Sequence, residues 1–232
     1  MSTVSHRPRN EARPVHPLIG ELYERYLKSL LSGERQVCLG IVRDLLDHEV
    51  PLKEIYQGLF ERAMYQVGEL WETNVISVST EHIATAITES AMNLLHPLIF
   101  ATEHCGRKAI VSCVANEYHQ IGGKMVADIF EFHGWDGYFL GANTPVNALV
   151  EMVAAKRPDV VCLSLTLYSN LPDLFRHVRT LHERFPHTKV IVGGQALRWG
   201  GHDVLTSLPN VRLVYSLDEL EEFIRSYGEG TE

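Results

Sequence analysis

The hydrophobic period of this chain changes once, near residue 104, and the two patterns require different architectures. From His16 to about Glu103, apolar residues recur every three or four positions, as on one face of a helix. After Gly106, short apolar runs such as KAIVSCVA and VVCLSL alternate with helix-like segments. We therefore expect a helical domain followed by a domain built around a parallel sheet.

The first half of the sequence contains four amphipathic segments joined by short connections. Pro51 begins the third segment, where its missing N–H costs nothing. Ser77 or Ser79 is a plausible N-cap of the fourth, and Pro97 should kink or shorten that helix. The pattern predicts an antiparallel four-helix bundle.

The second half contains five strand-like runs: KAIVSCVA, GYFL, VVCLSL, KVIVGG and VRLVYS. Helix-like segments lie between or after them, at 122–133, 146–156, 171–185 and 217–227. This alternation predicts a doubly wound parallel five-stranded sheet with helices on both faces. Ligands of such sheets bind beyond the carboxyl ends of the strands, so EYHQIGG, LGANTP, SLTLYSN and GGQAL should share one ligand-binding rim.

Charge and cysteine content exclude several classes of function. The chain carries 21 Lys and Arg against 29 Asp and Glu, a net charge of −8, so direct nucleic-acid binding is not expected. Its four cysteines form no CxxC pair, which favours a reducing compartment. No signal core and no long uncharged apolar run is present. We expect a cytoplasmic protein without a membrane partner.

Common catalytic and nucleotide-binding motifs are missing from the rim. The IGGK stretch does not complete a P-loop, and neither GxGxxG nor GxSxG occurs. His177, His182 and His187 lie five apart, which does not align them on one helix face. We expect these three histidines to be solvated, and we predict no catalytic residues.

Glu117 and His119 follow the first strand, at a position where turn formation alone requires neither residue. A neutral imidazole is a good transition-metal ligand, and a nearby carboxylate commonly fixes its other ring nitrogen. One protein ligand cannot hold a bare metal ion, but it can be the axial ligand of a metal held in a macrocycle. A surface-loop histidine is the alternative interpretation.

The rim contains the motif ExHxxG (Glu117, His119, Gly122), then SxT (Ser164, Thr166), then GG (Gly193, Gly194). Together these motifs resemble the cobalamin-binding fingerprint D/ExHxxG…SxL/T…GG. The resemblance implies that His119 replaces dimethylbenzimidazole as the lower cobalt ligand, with Glu117 as its hydrogen-bond partner. It also implies that Ser164 faces the displaced nucleotide tail and that the glycines give this tail room. The cofactor-binding residues implied are Glu117, His119, Gly122, Gly123, Ser164, Thr166, Gly193 and Gly194.

In the helical half, Trp71 is followed after nine residues by Glu81 and His82. This W-x9-EH spacing resembles the cap of adenosylcobalamin photoreceptors of the CarH and LitR type, in which these residues surround the upper-face adenosyl group. The alternative is a core tryptophan with a glutamate that favours the helix dipole. The resemblance implies adenosylcobalamin rather than methylcobalamin, and a light-driven change in the cap.

The sequence departs from that family in two ways. DNA-reading members carry a helix-turn-helix domain before the bundle, whereas about 15 residues precede the first helix here. We therefore expect output through a protein partner, a transcriptional regulator or methyltransferase, or through a homo-oligomer. Known light sensors also have a histidine after the cap tryptophan, where this chain has Glu72.

We thus expect three regions: a disordered tail at 1–15, a four-helix-bundle cap at 16–104, and a Rossmann-like (flavodoxin-like) cobalamin-binding domain at 105–232. The expected function is a cobalamin-binding sensor, which is more plausibly a regulator than an enzyme. The alternatives are a corrinoid methyl carrier for a methyltransferase system, a cobalamin storage or delivery module, and a domain with a second chromophore.

Overall fold

The computed structural model describes residues 15–229 of the chain. These residues form two compact units, 15–101 and 102–229. The first is helical, and the second contains a five-stranded parallel sheet with helices, so the predicted fold class is confirmed. The predicted disordered tail lies, except for Val15, outside the described residues.

Four long helices form most of the first unit, with the bounds α1 Pro17–Leu31, α2 Arg35–Asp47, α3 Leu52–Glu72 and α4 Val78–Met92. The α3 helix is π-helical over Ile55–Glu61. Ser77 is the N-cap of α4, because its Oγ accepts a hydrogen bond from Thr80 N at 3.2 Å. After α4, a 3-10 turn leads to the short helix His96–Ile99, which contains Pro97, so the predicted interruption is observed.

The core of the bundle is rich in aromatic side chains. Tyr23, Tyr26, Tyr56 and Phe60 are all buried, and the rings of Tyr26 and Phe60 lie 6.1 Å apart. Burial of a wholly apolar side chain such as Phe60 contributes about 1.5–3 kcal/mol. The π-helical segment of α3 supplies two of the four, so this irregular turn belongs to the packed core.

The second unit alternates strands and helices. The strands are β1 Lys108–Cys113, β2 Asp136–Phe139, β3 Val160–Ser164, β4 Lys189–Gly193 and β5 Val211–Val214. The helices are α5 Ile121–Phe132, α6 Val146–Lys156, α7 Leu171–Arg184, α8 His202–Thr206 and α9 Leu217–Glu229. The short α8 helix was not predicted from the sequence. None of the described helices is long and apolar enough to cross a membrane.

The strand order is β2-β1-β3-β4-β5, and all four neighbouring pairs are parallel. In this order the chain winds outward in one direction from β1 and in the other from β3. The loops after these two strands therefore diverge and leave a crevice at their carboxyl ends, which is where doubly wound sheets bind ligands.

Candidate functional site

The carboxylate of Glu117 joins the loops that follow β1 and β3. Its side chain is completely buried. Oε1 accepts hydrogen bonds from the backbone N of His119 at 3.0 Å and from its Nδ1 at 2.6 Å. Oε2 accepts from the backbone N of Thr166 and of Leu167, each at 2.9 Å. Four donors thus converge on one buried carboxylate at the crevice between β1 and β3.

These bonds determine the charge of Glu117. Burial raises the pKa of its carboxyl, but the bonds from the His119 side chain and from three backbone N–H groups outweigh burial and hold the pKa below its ordinary value of 4.5. The carboxylate is therefore ionised at neutral pH. A proton on Nδ1 of a neutral His119 ring then lies against the carboxylate, and Nε2 carries the lone pair that can bind a metal. The ring is 39% exposed.

Gly122 and Gly123 lie in the first turn of α5 and have different surroundings. A Cβ on Gly122 would meet nothing within 4 Å. A Cβ on Gly123 would lie 3.0 Å from the Phe139 ring, 3.4 Å from Cys113 Sγ and 3.6 Å from Ser164 Cβ. Gly123 thus permits close packing of α5 on the sheet, while Gly122 borders open space.

The second glycine pair ends β4. Ser164 pairs in register with Gly193, so the two lie side by side at the carboxyl ends of β3 and β4. Gly194 has φ +114°, and a Cβ there would lie 2.1 Å from Leu165 O. Gly194 is therefore required by a close backbone approach between neighbouring rim loops.

In the bundle, the W-x9-EH residues lie at the junction of α3 and α4. Trp71 is near the end of α3 and is 37% exposed, which excludes the core-tryptophan interpretation. Glu81 lies in the first turn of α4, and its Oε2 is 2.5 Å from His82 Nδ1. Glu72, in the position after the tryptophan, is exposed.

One sequence prediction about histidines is wrong. His177 was expected to be solvated, but it is completely buried, with Nδ1 2.7 Å from Asp173 O and Nε2 3.0 Å from Thr144 O. These bonds satisfy the polar ring inside the domain. His187 is exposed and His182 is half-buried.

The sequence analysis also missed a polar network beside Glu117. Asn116, after β1, is hydrogen-bonded to Asn143 in the loop after β2 and to Asn170 and Asp173 in the segment after β3. The available signal was the placing of VANEYHQ, LGANTP and SLTLYSN on one rim, but their side-chain partners lie 27 to 57 residues apart. Sequence spacing does not indicate such partners.

Two family models match the chain. One, described as a B12 binding domain, matches residues 107–212, and a second of the same description matches residues 22–96. Together they cover the sheet unit with its rim and most of the bundle.

This chain is a cobalamin-binding protein. It resembles the HTH-type transcriptional repressor CarH of Myxococcus xanthus, with 26% identity over 75% of this chain and 59% of the relative. It is also similar to the methionine synthase of Mycobacterium tuberculosis, with 24% identity over 76% of this chain. This cobalamin-binding protein therefore spans about three fifths of the CarH length and 15% of the methionine synthase length.

Among solved structures, the monomethylamine corrinoid protein of Methanosarcina barkeri has the same fold. The TM-score is 0.76 at 16% identity, covering 88% of this chain and 97% of that protein. This similarity agrees with the two-unit architecture described above.

The residues of this cobalamin-binding protein fit its cofactor. A corrin cobalt needs one axial nitrogen from the protein, and the partly exposed His119 ring is oriented by a buried carboxylate. A bulky tail needs room beside the ligand loop, and the space next to Gly122 is open. The same loop thus offers a ligand and space for the cofactor.

Proposed function

We propose that this cobalamin-binding protein is a sensor that binds adenosylcobalamin and transmits a light-driven change to a protein partner or to its own oligomeric state. The observation that carries this proposal is the exposed Trp71 at the α3–α4 junction, followed by the hydrogen-bonded Glu81–His82 pair. CarH, a transcriptional repressor, is similar to this chain across both of its units.

On the lower face, His119 is the proposed axial ligand through Nε2, and Glu117 is the proposed positioning residue for its ring. The nucleotide tail would run past Gly122 and Gly123 toward Ser164 and Thr166. Gly193 and Gly194 would border the tail at the end of β4. Because four hydrogen bonds fix Glu117, His119 needs little reorganisation to bind.

On the upper face, the apolar surface around Trp71 would cover the adenosyl group. Val75, Val78 and Ile83, from the α3–α4 connection and the start of α4, are also exposed, by 67%, 49% and 49%. Exposed apolar side chains grouped in this way are typical of a binding surface. The Glu81 carboxylate accepts a hydrogen bond from Thr85 Oγ1 at 2.8 Å, and we propose that it also accepts bonds from the ribose hydroxyls.

Bound adenosylcobalamin supplies a cobalt–carbon bond that light can break. Trp71 and its apolar neighbours would cover the adenosyl group in the dark. Without that group these side chains would be exposed to water, which is unfavourable by about 25 cal/mol per Å² of apolar surface. This cost favours a different packing of the cap or a contact with another protein surface.

The cap assignment is tested by the choice between upper ligands. Trp71→Ala removes the proposed stacking partner of the adenine, so we expect the preference for adenosylcobalamin over methylcobalamin to fall about tenfold. Phe100→Ala is a matched control, because Phe100 is an exposed aromatic residue of the same unit, 53% accessible, outside the α3–α4 junction. Affinities are measured by absorption titration in the dark. An unchanged preference in Trp71→Ala would contradict the cap assignment.

A corrinoid methyl carrier is the second candidate function, and Glu72 is the observation that favours it. This position offers no imidazole to the upper face after loss of the adenosyl group. The similarity to a methionine synthase is consistent with methyl transfer. A carrier should bind methylcobalamin at least as tightly as adenosylcobalamin, so the same titration separates the two functions.

A further inference from the structure

We propose that Asn116 is a positioning residue for the cobalt ligand, which fixes the loop that carries His119. This inference rests on the proposed role of His119 as the lower ligand. Asn116 is not part of the fingerprint. We infer that it acts on His119 through the backbone of the loop.

Asn116 makes three hydrogen bonds to three residues of neighbouring loops and helices. Its backbone N donates to Asn143 Oδ1 at 2.8 Å, and its Nδ2 donates to Asp173 Oδ2 at 2.8 Å. Its backbone O accepts from Asn170 Nδ2 at 3.0 Å. One residue, immediately before Glu117, thus connects the rim segments on both sides of β1.

The backbone conformation at positions 116 and 143 explains why both residues are asparagines. Asn116 has φ +65° and Asn143 has φ +49°, and asparagine tolerates this left-handed region better than most residues. Asn143 also makes two bonds to the start of the ligand loop, because its Oδ1 accepts from Asn116 N and its N donates to Glu117 O at 2.8 Å. The start of the ligand loop is therefore clamped to the loop after β2.

Asp173, which accepts the side-chain bond of Asn116, makes further contacts of its own. Asp173 lies in the first turn of α7, where its Oδ1 also pairs with Arg176 at 3.0 Å. The buried ring of His177, one turn later, lies within hydrogen-bond distance of Asp173 O and of Thr144 O. Asn116 therefore bonds to segments that are themselves joined.

The effect on His119 follows from these connections. Glu117 orients the imidazole, but the carboxylate can do so only if the backbone at 116–117 has a fixed position. Loss of the Asn116 bonds leaves the loop with fewer contacts to its neighbours, and the cost of ordering the loop then opposes cobalamin binding. Substituting a direct hydrogen-bond partner of a metal ligand commonly lowers metal affinity by about tenfold to a hundredfold, and for Asn116, which acts through the loop backbone, we expect the lower end of that range.

The test compares glycine substitutions at two left-handed positions. Asn116→Gly keeps the left-handed backbone and both backbone bonds but removes the Nδ2 donor to Asp173. Arg157→Gly is the matched control, because Arg157 has φ +50° at the C-cap of α6, before β3 begins. Both variants gain the same flexibility in the unfolded chain. Asn116→Gly also loses the hydrogen bond to Asp173 at the rim.

We expect Asn116→Gly to bind methylcobalamin in the dark about tenfold more weakly than the parent protein, with Arg157→Gly unchanged. The visible band should also shift to shorter wavelength in a larger fraction of the bound cofactor, as happens when the lower nitrogen is lost. In the cofactor-free protein, amides of residues 117–119 should exchange hydrogen faster in Asn116→Gly alone.

A reciprocal pair of substitutions separates positioning from general destabilisation. Asn116→Asp places two carboxylates against each other and should weaken binding, and adding Asp173→Asn should restore it, since the donor and acceptor have been exchanged. Failure of this rescue, or parental affinity and spectrum in Asn116→Gly, would overturn the proposal. If His119→Ala leaves the bound spectrum unchanged, the proposed ligand role fails, and the positioning role fails with it.

Discussion

At the scale of single residues, Glu117 is the most informative side chain of this protein. A buried carboxylate is costly unless its charge is compensated, and here four N–H groups compensate it. Its charge and its position are therefore consequences of the same bonds. Because Oε2 bonds to the loop after β3 and Oε1 to His119, a change in this residue should affect both stability and ligand orientation.

Glu117→Gln should destabilise the sheet unit by about 2–4 kcal/mol at neutral pH, because an amide nitrogen would face N–H donors and leave them unpaired. The pKa of Glu117 is lowered in the folded protein, so the unfolded chain takes up the proton first as pH falls below 4.5. The advantage of the parent over the variant is thus fully present above that pH and shrinks as pH falls through the lower folded value. Denaturant titrations of the cofactor-free proteins measure this difference, and a difference independent of pH between about 7 and 3 would contradict the bond assignment.

Part of this site was predictable from sequence at the residue scale. The Glu117–His119 bond joins residues two positions apart, so the motif spacing indicates it. The bonds of Glu117 to Thr166 and Leu167, and the network around Asn116, depend on which loops the sheet order brings together. The burial of His177 depends on a contact with Thr144, 33 residues away, and the helix pattern around His177 carries no trace of it.

At the scale of elements, the glycines of the rim differ in their structural roles, even within one pair. Gly123 and Gly194 lie where backbone or side chains approach closely, whereas Gly122 borders open space. The sequence predicted that both pairs make room for a bulky group. The contacts further predict that substitutions at Gly123 and Gly194 affect folding, whereas a substitution at Gly122 affects binding.

Gly194→Ala should destabilise the cofactor-free sheet unit by about 4 kcal/mol or more, since its Cβ would overlap Leu165 O at a left-handed φ. Gly122→Ala should leave that stability unchanged or slightly higher, because the site is helical and open. If the nucleotide tail passes this space, the same substitution should weaken cobalamin binding about tenfold. Denaturant titration and absorption titration measure the two properties. Parental affinity in Gly122→Ala would exclude the tail from this space.

Most elements were predictable because their patterns are strong. The predicted helix at 146–156 matches Val146–Lys156, and the segment at 171–185 corresponds to Leu171–Arg184. The α8 helix, His202–Thr206, was missed because five residues are too few to show a helical period. The π-helical segment Ile55–Glu61 was also beyond prediction, since its apolar pattern is that of an ordinary helix.

At the scale of the whole molecule, the chain combines a bundle and a doubly wound sheet unit, and the sequence predicted this through its change of period. The proposed axial ligand, His119, lies on the sheet unit, and the proposed cap residues lie on the bundle. A sensor divided in this way can convert loss of the upper group into a change in the surface of the bundle. The sequence could not reveal the form of that output, because it depends on surfaces that individual motifs do not describe.

The most direct measurement is an absorption spectrum of the protein reconstituted with adenosylcobalamin in the dark, repeated after green light, with size-exclusion chromatography of both samples. We expect a stable alkylcobalamin spectrum in the dark, its conversion on illumination, and a changed elution volume in the illuminated sample. Trp71→Ala should undergo the same photolysis with a smaller change in elution. Conversion of the spectrum without any change in elution would contradict a light-driven switch and would favour the methyl carrier.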